Sequence, residues 1–305
     1  MTASEFNHRN CPLCGSGVAQ GEVHSTRPAQ TLTLDALQPF WSGLFKEKLF
    51  FSYHRCDHCG LLYNPVYFDD RQLSELYANM APNMELVAND AIVATQRGYF
   101  ERAARTARLD GGYLEIGPDV GYIVADAARA GNFEHFWLFE PNLAIHDALR
   151  ANAGGRPATL LSDMSDLSPV PDNSVGLAVM IHVLDHLTEP LAMLQQIRRK
   201  LRPGGTLLVV THNEGSLLRK ALGVRWPPFC LQHPELYNPA TMRTMLQRAG
   251  FSAIEVERSR NYFPVDFLAR QAAWAVGLKL KKVPLPAIPV GLRLGNMLAL
   301  ASTPA

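Results

Sequence analysis

The sequence predicts an α/β protein whose main body is a doubly wound, mostly parallel sheet, with a small cysteine-rich ribbon in front of it. Three observations carry this. From residue 112 onward, apolar runs of strand length alternate with helical segments, with no internal repeats or low-complexity tracts. The stretch Tyr113-Leu-Glu-Ile-Gly-Pro-Asp-Val-Gly121 reads as strand, tight turn and helix, and such a turn falls where parallel sheets bind ligands. Ahead of it stand two Cys-x-x-C pairs, Cys11 with Cys14 and Cys56 with Cys59.

The chain has 305 residues, 47% hydrophobic and 19% charged, enough for one large core and a satellite domain. A net charge of +1 gives no general attraction to phosphate backbones, so nucleic acid is not the expected partner. The N-terminal MTASEFNHRN has no apolar signal core, and no apolar run reaches the roughly 18 to 20 residues of a membrane span. The expected location is the cytoplasm.

Residues 1–68 are read as a ribbon domain. Each cysteine pair is followed by glycine, Gly15 or Gly60, which lets the backbone turn its amides toward the sulfurs. Two such pairs in a chain without a secretion signal point to a four-thiolate zinc site rather than disulfides, closed and therefore structural. His54 and His58 are read as surface residues, and the aromatic segment PFWSGLFKEKLFF as packing against the main domain. Residues 69–111 read as a helical lid or linker: DDRQLSELYANM, then about Asn89 to Leu109, separated at Pro82. Tyr77 and Met80 fall one turn apart, as a core stripe or a lid, and Tyr77 counts as a candidate cofactor contact.

The α/β domain spans 112–305. After the first strand and its helix come HFWLFEPN, a strand ending at Glu140, and a helix from about Leu143 to Asn152. ATLLSD is a short strand ending at Asp163; SVGLAVMIHVL is the fourth, followed by a helix from Pro190 to Leu201. Arg202 to Gly205 turn the chain into TLLVVTHN. Residues 213–238 form an irregular insertion past the fifth strand, placed to cover a substrate. A helix from Pro239 to Ala249, the strand SAIEVERS, a helix from Val265 to Lys282 and a strand from Asn296 to Ala301 complete the chain.

The turn selects its ligand. A dinucleotide fingerprint would need glycines at 117, 119 and 122, whereas this chain has Gly117, Asp119 and Tyr122. Asp119 would also oppose a pyrophosphate, and no phosphate loop is present. A ligand with a cationic centre and an amino-acid end suits this acidic turn, and S-adenosylmethionine is such a ligand.

From Gly112 onward the chain resembles the class I S-adenosylmethionine-dependent methyltransferases. LEIGPDVG is similar to the first family motif, FEPN to the strand-two motif, and HVLDHLTEPLAMLQQIRRKLRPGGTLLV to the run from strand four into strand five. CPLCG, CDHCGLLYNP and HPELY are similar to the zinc-containing subgroup, which includes sugar C-methyltransferases and relatives in polysaccharide and natural-product pathways. The resemblance implies a seven-stranded Rossmann-like sheet. It also implies that Glu115 holds the methionine amino group, Gly117 and Gly121 shape the approach, and Glu140, followed by Pro141, accepts the ribose hydroxyls. Asp163 and Met164 would meet the adenine, and His182 the cofactor or substrate. Asp119, itself a candidate contact, stands where the middle glycine of the motif usually lies. Gly176 stands where an aspartate often opens strand four.

Methyl transfer is an in-line displacement, so the protein mainly aligns the nucleophile and removes its proton. Candidate bases are His233, which best matches the subgroup histidine, with Gln232 and a displaced Tyr237 beside it, and then His186 and His212. The tail from Tyr262 to Ala305 holds five basic residues and one acid; segment 265–282 is expected to pack on the sheet, with weak peripheral membrane contact as the other reading. The expected activity is methyl transfer to oxygen or carbon of a small acceptor: a sugar, a nucleotide- or lipid-linked glycan, or a natural product. Two readings stay open beside it. One is an rRNA base methyltransferase, although residues 1 to 60 balance five basic against five acidic side chains. The other is a non-catalytic S-adenosylmethionine-binding or scaffold protein, suggested by Asp119 and Gly176.

Overall fold

The computed structural model describes residues 6–41, 48–78, 89–275, 285 and 288–304. Met80, Pro82, part of the aromatic segment and the lysines at 279, 281 and 282 lie outside them.

The N-terminal part holds β1 (Asn7–His8), β2 (Ala19–Val23), the single turn α1 (Leu34–Leu37), β3 (Tyr53–Cys56), β4 (Leu62–Tyr63) and β5 (Val66–Tyr67). Helices α2 (Asp70–Ala78) and α3 (Asn89–Ala104) follow. The main body runs β6 (Asp110–Ile116), α4 (Tyr122–Ala130), β7 (Asn132–Phe139), α5 (His146–Asn152), β8 (Ala158–Leu161), β9 (Val175–Ile181), α6 (Pro190–Lys200) and β10 (Leu201–His212). Then come α7 (Leu217–Leu222), β11 (Glu235–Leu236), α8 (Pro239–Arg248), β12 (Ser252–Arg258), β13 (Asn261–Pro264), α9 (Val265–Ala275), β14 (Pro289–Leu292) and β15 (Asn296–Ser302).

The central sheet has seven strands in the order β12-β15-β10-β9-β6-β7-β8. Strands β8, β7, β6, β9 and β10 are parallel neighbours, and β15 runs antiparallel between β10 and β12. The order reverses at β6, so a crevice opens beyond the carboxyl ends of β6 and β9. Strand side chains alternate between two cores. Leu114, Ile116, Ala178, Met180, Leu207 and Val209 face α6 and α8, while Tyr113, Leu177, Val179, Leu208 and Val210 face α3, α4 and α5.

Two local features differ from expectation. Arg202 to Gly205 do not precede the fifth strand; β10 already begins at Leu201 and passes through them with a register shift between Leu201 and Thr206. The extra residues are absorbed as an irregularity in the pairing with β9. At Gly176 a Cβ would lie 2.0 Å from the carbonyl oxygen of Asp110, so backbone crowding in the β6–β9 pair excludes every side chain there.

The ribbon is tied to the insertion. Strand β11 pairs with β4, extending the ribbon sheet to the order β11-β4-β3-β2. Arg9 bridges the fully buried Glu235 at 2.6 Å, and Arg55 joins Glu22 and Glu214. Three ribbon side chains also grip the insertion's backbone: Tyr53 and Asn64 donate to the His233 carbonyl at 2.7 and 3.1 Å, and Tyr67 donates to that of Leu231 at 2.6 Å.

Candidate active site

The turn after β6 is stapled by carboxylates. Glu115, 2% exposed, is the penultimate residue of β6 and accepts from the Tyr113 hydroxyl at 2.5 Å. Burial pushes its carboxyl up to about 8; the Tyr113 hydroxyl opposes the rise, and the Glu140 and Asp119 carboxylates add to it. Glu140, just past β7, takes the amides of Asp119 and Asn142 at 3.1 and 2.9 Å, one on each oxygen. Burial holds its carboxyl above the usual range against those two amides. Each oxygen keeps a lone pair for a further donor such as a ribose hydroxyl.

Asp119 adopts φ 50°, the left-handed region where glycine is favoured but aspartate is tolerated. The loop therefore keeps its path although the motif's middle glycine is absent. At Gly117, φ is 67° and a Cβ would meet Val183 at 2.7 Å, so the nearest crowding comes from the segment after β9. Gly121, at φ 81°, starts α4, where a Cβ would meet Leu149 at 2.7 Å. Both positions need glycine.

The remaining candidates along this edge are less enclosed. Pro141 and Asp163 are exposed, and Met164 is half-buried against the core. Asp163 Oδ1 accepts from the amide and hydroxyl of Ser165 at 2.8 and 2.6 Å, which holds its carboxyl below the usual range. In this structure Asp163 shapes its loop.

The four histidines His182, His186, His212 and His233 converge at the carboxyl ends of β9 and β10. His212 packs at a tilt against His182 and His233, with ring centroids 4.7 and 4.9 Å away and planes 40° and 52° apart, and His186 meets His233 edge-on at 4.7 Å. His212 Nδ1 lies 2.6 Å from Oδ2 of Asp185, a carboxylate with no solvent exposure. Burial lowers the His212 imidazole, against the pull of Asp185. Burial likewise depresses His182 and His186 to about 3, with neighbouring imidazoles adding to the effect. At His233 burial lowers the imidazole but the Cys230 sulfur, 3.3 Å from Nδ1, raises it to about 9. His182 sits at φ 53° with Nε2 on Asn296 at 3.3 Å.

Tyr77, placed in sequence as a cofactor contact, puts its hydroxyl 3.2 Å from His186 Nδ1 and its ring edge-on to Trp41. Asp185, Cys230 and Tyr113 join the site without having been candidates in sequence. Asp185 was detectable as the acid next to His186; the other two carry no signal at sequence level.

At the ribbon, the four cysteine sulfurs gather within 4.8 Å of one another, with Cys11–Cys59 at 3.4 Å and Cys14–Cys56 at 3.5 Å. A tetrahedral ion with bonds of about 2.3 Å separates its sulfurs by about 3.8 Å, so the cluster fits zinc after slight expansion. Amides of Leu13 and Cys14 bond Cys11, and those of His58 and Cys59 bond Cys56. The turns end at Gly15 and Gly60 with φ 77° and 75°.

Comparison with known proteins agrees with this geometry. A family profile described as a methyltransferase domain matches residues 94–256, more than half of the chain. A ubiquinone/menaquinone biosynthesis C-methyltransferase of Neisseria meningitidis is 28% identical over 145 residues, covering 46% of this chain and 59% of that enzyme. A 23S rRNA (guanine(748)-N(1))-methyltransferase of Streptomyces fradiae is 29% identical over 203 residues, covering 56% of this chain and 68% of that enzyme. Among solved structures, an S-adenosylmethionine-dependent methyltransferase from Listeria monocytogenes aligns with TM-score 0.50 at 10% identity, covering 68% of this chain and 99% of that one, a likeness of fold. The strand order, the acidic turn and the matched profile together place the chain among the class I S-adenosylmethionine-dependent methyltransferases.

Proposed function

We propose that this protein transfers a methyl group from S-adenosylmethionine to oxygen or carbon of a small acceptor: a sugar, a nucleotide- or lipid-linked glycan, or a natural product. The observation that carries the reading is the Asp185–His212 pair, an imidazole oriented by a buried carboxylate at the carboxyl edge of the sheet. When bound, S-adenosylmethionine supplies an electrophilic methyl group on a sulfonium. Glu115 and Glu140 are the acceptors for its ammonium and ribose ends, and Gly117 and Gly121 keep the turn clear. Val210 of β10 lies beside Ile181 of β9, and Met180 beside Ile116 of β6, so His212 ends a strand two spacings, about 10 Å, from the cofactor turn. Asp185 fixes the tautomer with hydrogen on Nδ1, leaving Nε2 to take the acceptor's proton. His233 of the insertion, His186 and Tyr77 line the same place, and Trp226 stands edge-on to His212.

The ribbon holds structural zinc in this reading. Its part is mechanical: Tyr53, Asn64 and Tyr67 fix the backbone of the segment that carries His233. The 29% identity to the Streptomyces fradiae enzyme over 203 residues favours a second reading, methylation of an RNA base. The enclosed imidazole cluster and the balanced charge favour the first.

The test is S-adenosylhomocysteine release with pools of nucleotide-linked sugars, lipid-linked glycans, small phenolic or quinone acceptors, and ribosomal RNA. The expected result is turnover with one small-molecule pool, falling about 10²- to 10⁴-fold in His212→Ala with cofactor affinity retained. Turnover with RNA alone would overturn the small-acceptor reading, and an unchanged His212→Ala rate would remove its base.

A further inference from the structure

The base described above leaves most of the imidazole cluster unused. His186 Nε2 and His233 Nε2 face each other at 3.2 Å. His233 Nδ1 lies 2.6 Å from the Pro228 carbonyl oxygen and so carries hydrogen. Once His233 gives up the proton that its surroundings favour, and with the His186 Nδ1–H donating to the Tyr77 oxygen, 3.2 Å away, both Nε2 atoms present lone pairs to one another. A proton or a metal ion between them relieves that opposition. Only a metal ion also answers a second observation: Asp185 is fully buried, its Oδ2 is taken by His212, and its Oδ1 is buried with no partner. An orphaned carboxylate oxygen in the interior is costly unless it ligates something.

We propose that Asp185, His186 and His233 bind a divalent transition-metal ion, distinct from the four-cysteine site, with an open coordination position. One ligand atom from each lies within 4.8 Å of the others. Tetrahedral ligands at about 2.0 to 2.1 Å from a metal are about 3.3 to 3.4 Å apart, close to the spacing of the two Nε2 atoms. Each ligand also has the outer partner that metal sites require. His233 has the Pro228 carbonyl, His186 has Tyr77, and Asp185 has His212. Two imidazoles and one carboxylate suit zinc or ferrous iron better than magnesium or calcium. A second set, His182, Asp185 and His212, is also close and His182 Nδ1 is buried without a partner, but there His212 Nδ1 is committed to Asp185 and His182 Nε2 to Asn296, and no pair of imidazole nitrogens faces at ligand spacing as Nε2 of His186 and His233 do.

The role assigned to this ion rests on the methyltransferase reading. An acceptor hydroxyl held at the open position gives up its proton more readily. The proton passes to His212 Nε2, and the oxygen lone pair forms the new O–CH3 bond. The electron pair of the breaking S–CH3 bond stays on sulfur, giving neutral S-adenosylhomocysteine, and His212 then releases the proton to solvent.

The experiment is a metal count on the full-length protein after exchange into zinc, repeated with cobalt(II), whose thiolate charge-transfer band reports the cysteine site separately. Wild type is expected to hold two ions per chain. His186→Ala and His233→Ala are expected to hold one, with the thiolate band intact, while His182→Ala keeps two. One ion in wild type, or two in both variants, overturns the proposal. His186→Asn, which keeps a polar side chain of similar reach to Nδ1, gives the same one-ion expectation should the alanine variants not fold. S-adenosylmethionine binding on the same samples separates the outcomes: binding with one ion sinks the metal site alone, and two ions without binding sink the methyltransferase reading alone.

Discussion

The role proposed for Glu115, at the ammonium end of the cofactor, would couple binding to a proton. The Glu115 carboxyl is raised to about 8 by burial, so at pH 7 about nine-tenths of the free protein carries the proton there. An ammonium group brought against it favours the carboxylate, so binding at pH 7 should expel about 0.9 proton from this residue. The affinity should then rise about ninefold between pH 6 and pH 7, about 1.3 kcal/mol, because the carboxylate fraction rises by that factor. Above pH 8 the ligand's own amino group deprotonates and the gain levels off. The stability of the free protein runs the other way. A carboxyl whose folded pKa lies above its unfolded value contributes stability that is full below about 4.5 and is lost as pH rises through about 8. The assay is calorimetry of S-adenosylmethionine binding at pH 7 in two buffers of different ionisation enthalpy, with Glu115→Gln as the control. Release near one proton in wild type and near zero in the variant is expected. Equal proton release in both proteins would refute the assignment of Glu115 to the ammonium end.

Three further outcomes follow from particular contacts. Glu140→Ala removes the carboxylate that takes the Asp119 and Asn142 amides, and should weaken S-adenosylmethionine binding by about 1 to 3 kcal/mol; unchanged affinity in a titration would remove its ribose role. Gly176→Asp, which restores the residue common in the family, should destabilise the fold by about 3 kcal/mol or more, because its Cβ would sit 2.0 Å from the Asp110 carbonyl; a denaturation midpoint equal to wild type would contradict that crowding. Stripping the cysteine-bound metal should lower Tm by about 10 °C or more, because Cys11, Cys56, Leu61 and Tyr63 share a core with Met242 and Met245; an unshifted melting curve would show that the ribbon is not coupled to the main body.

Much of the fold was readable because its signals are local. Strand, turn and helix between Tyr113 and Gly131 lie within one short stretch, and the paired cysteines announce their cluster by spacing alone. Glu115 and Glu140 were singled out the same way, as acids at the ends of apolar runs. What was not readable depends on tertiary approach. Asp185 meets His212 across 27 residues and Tyr77 meets His186 across 109, through the packing of elements whose sequences carry no mutual sign. The pairing of Glu235 with Tyr63 joins two-residue strands too short for any periodicity. At Gly176 the sequence shows only that the aspartate common in the family is absent, whereas the register between β6 and β9 shows why: it leaves no space for a side chain. His233, the leading base in sequence, has Nδ1 committed to the Pro228 carbonyl and Nε2 opposite His186, while His212 keeps a free nitrogen beside an orienting carboxylate.

The central claim is that the acidic turn between Glu115 and Gly121, together with Glu140, holds S-adenosylmethionine. Equilibrium dialysis of the full-length, zinc-loaded protein against radiolabelled S-adenosylmethionine tests it directly. One saturable site per chain, displaced by S-adenosylhomocysteine and weakened in Glu140→Ala, is the predicted result; absence of saturable binding by protein that melts cooperatively with its cysteine-site metal in place would contradict the account.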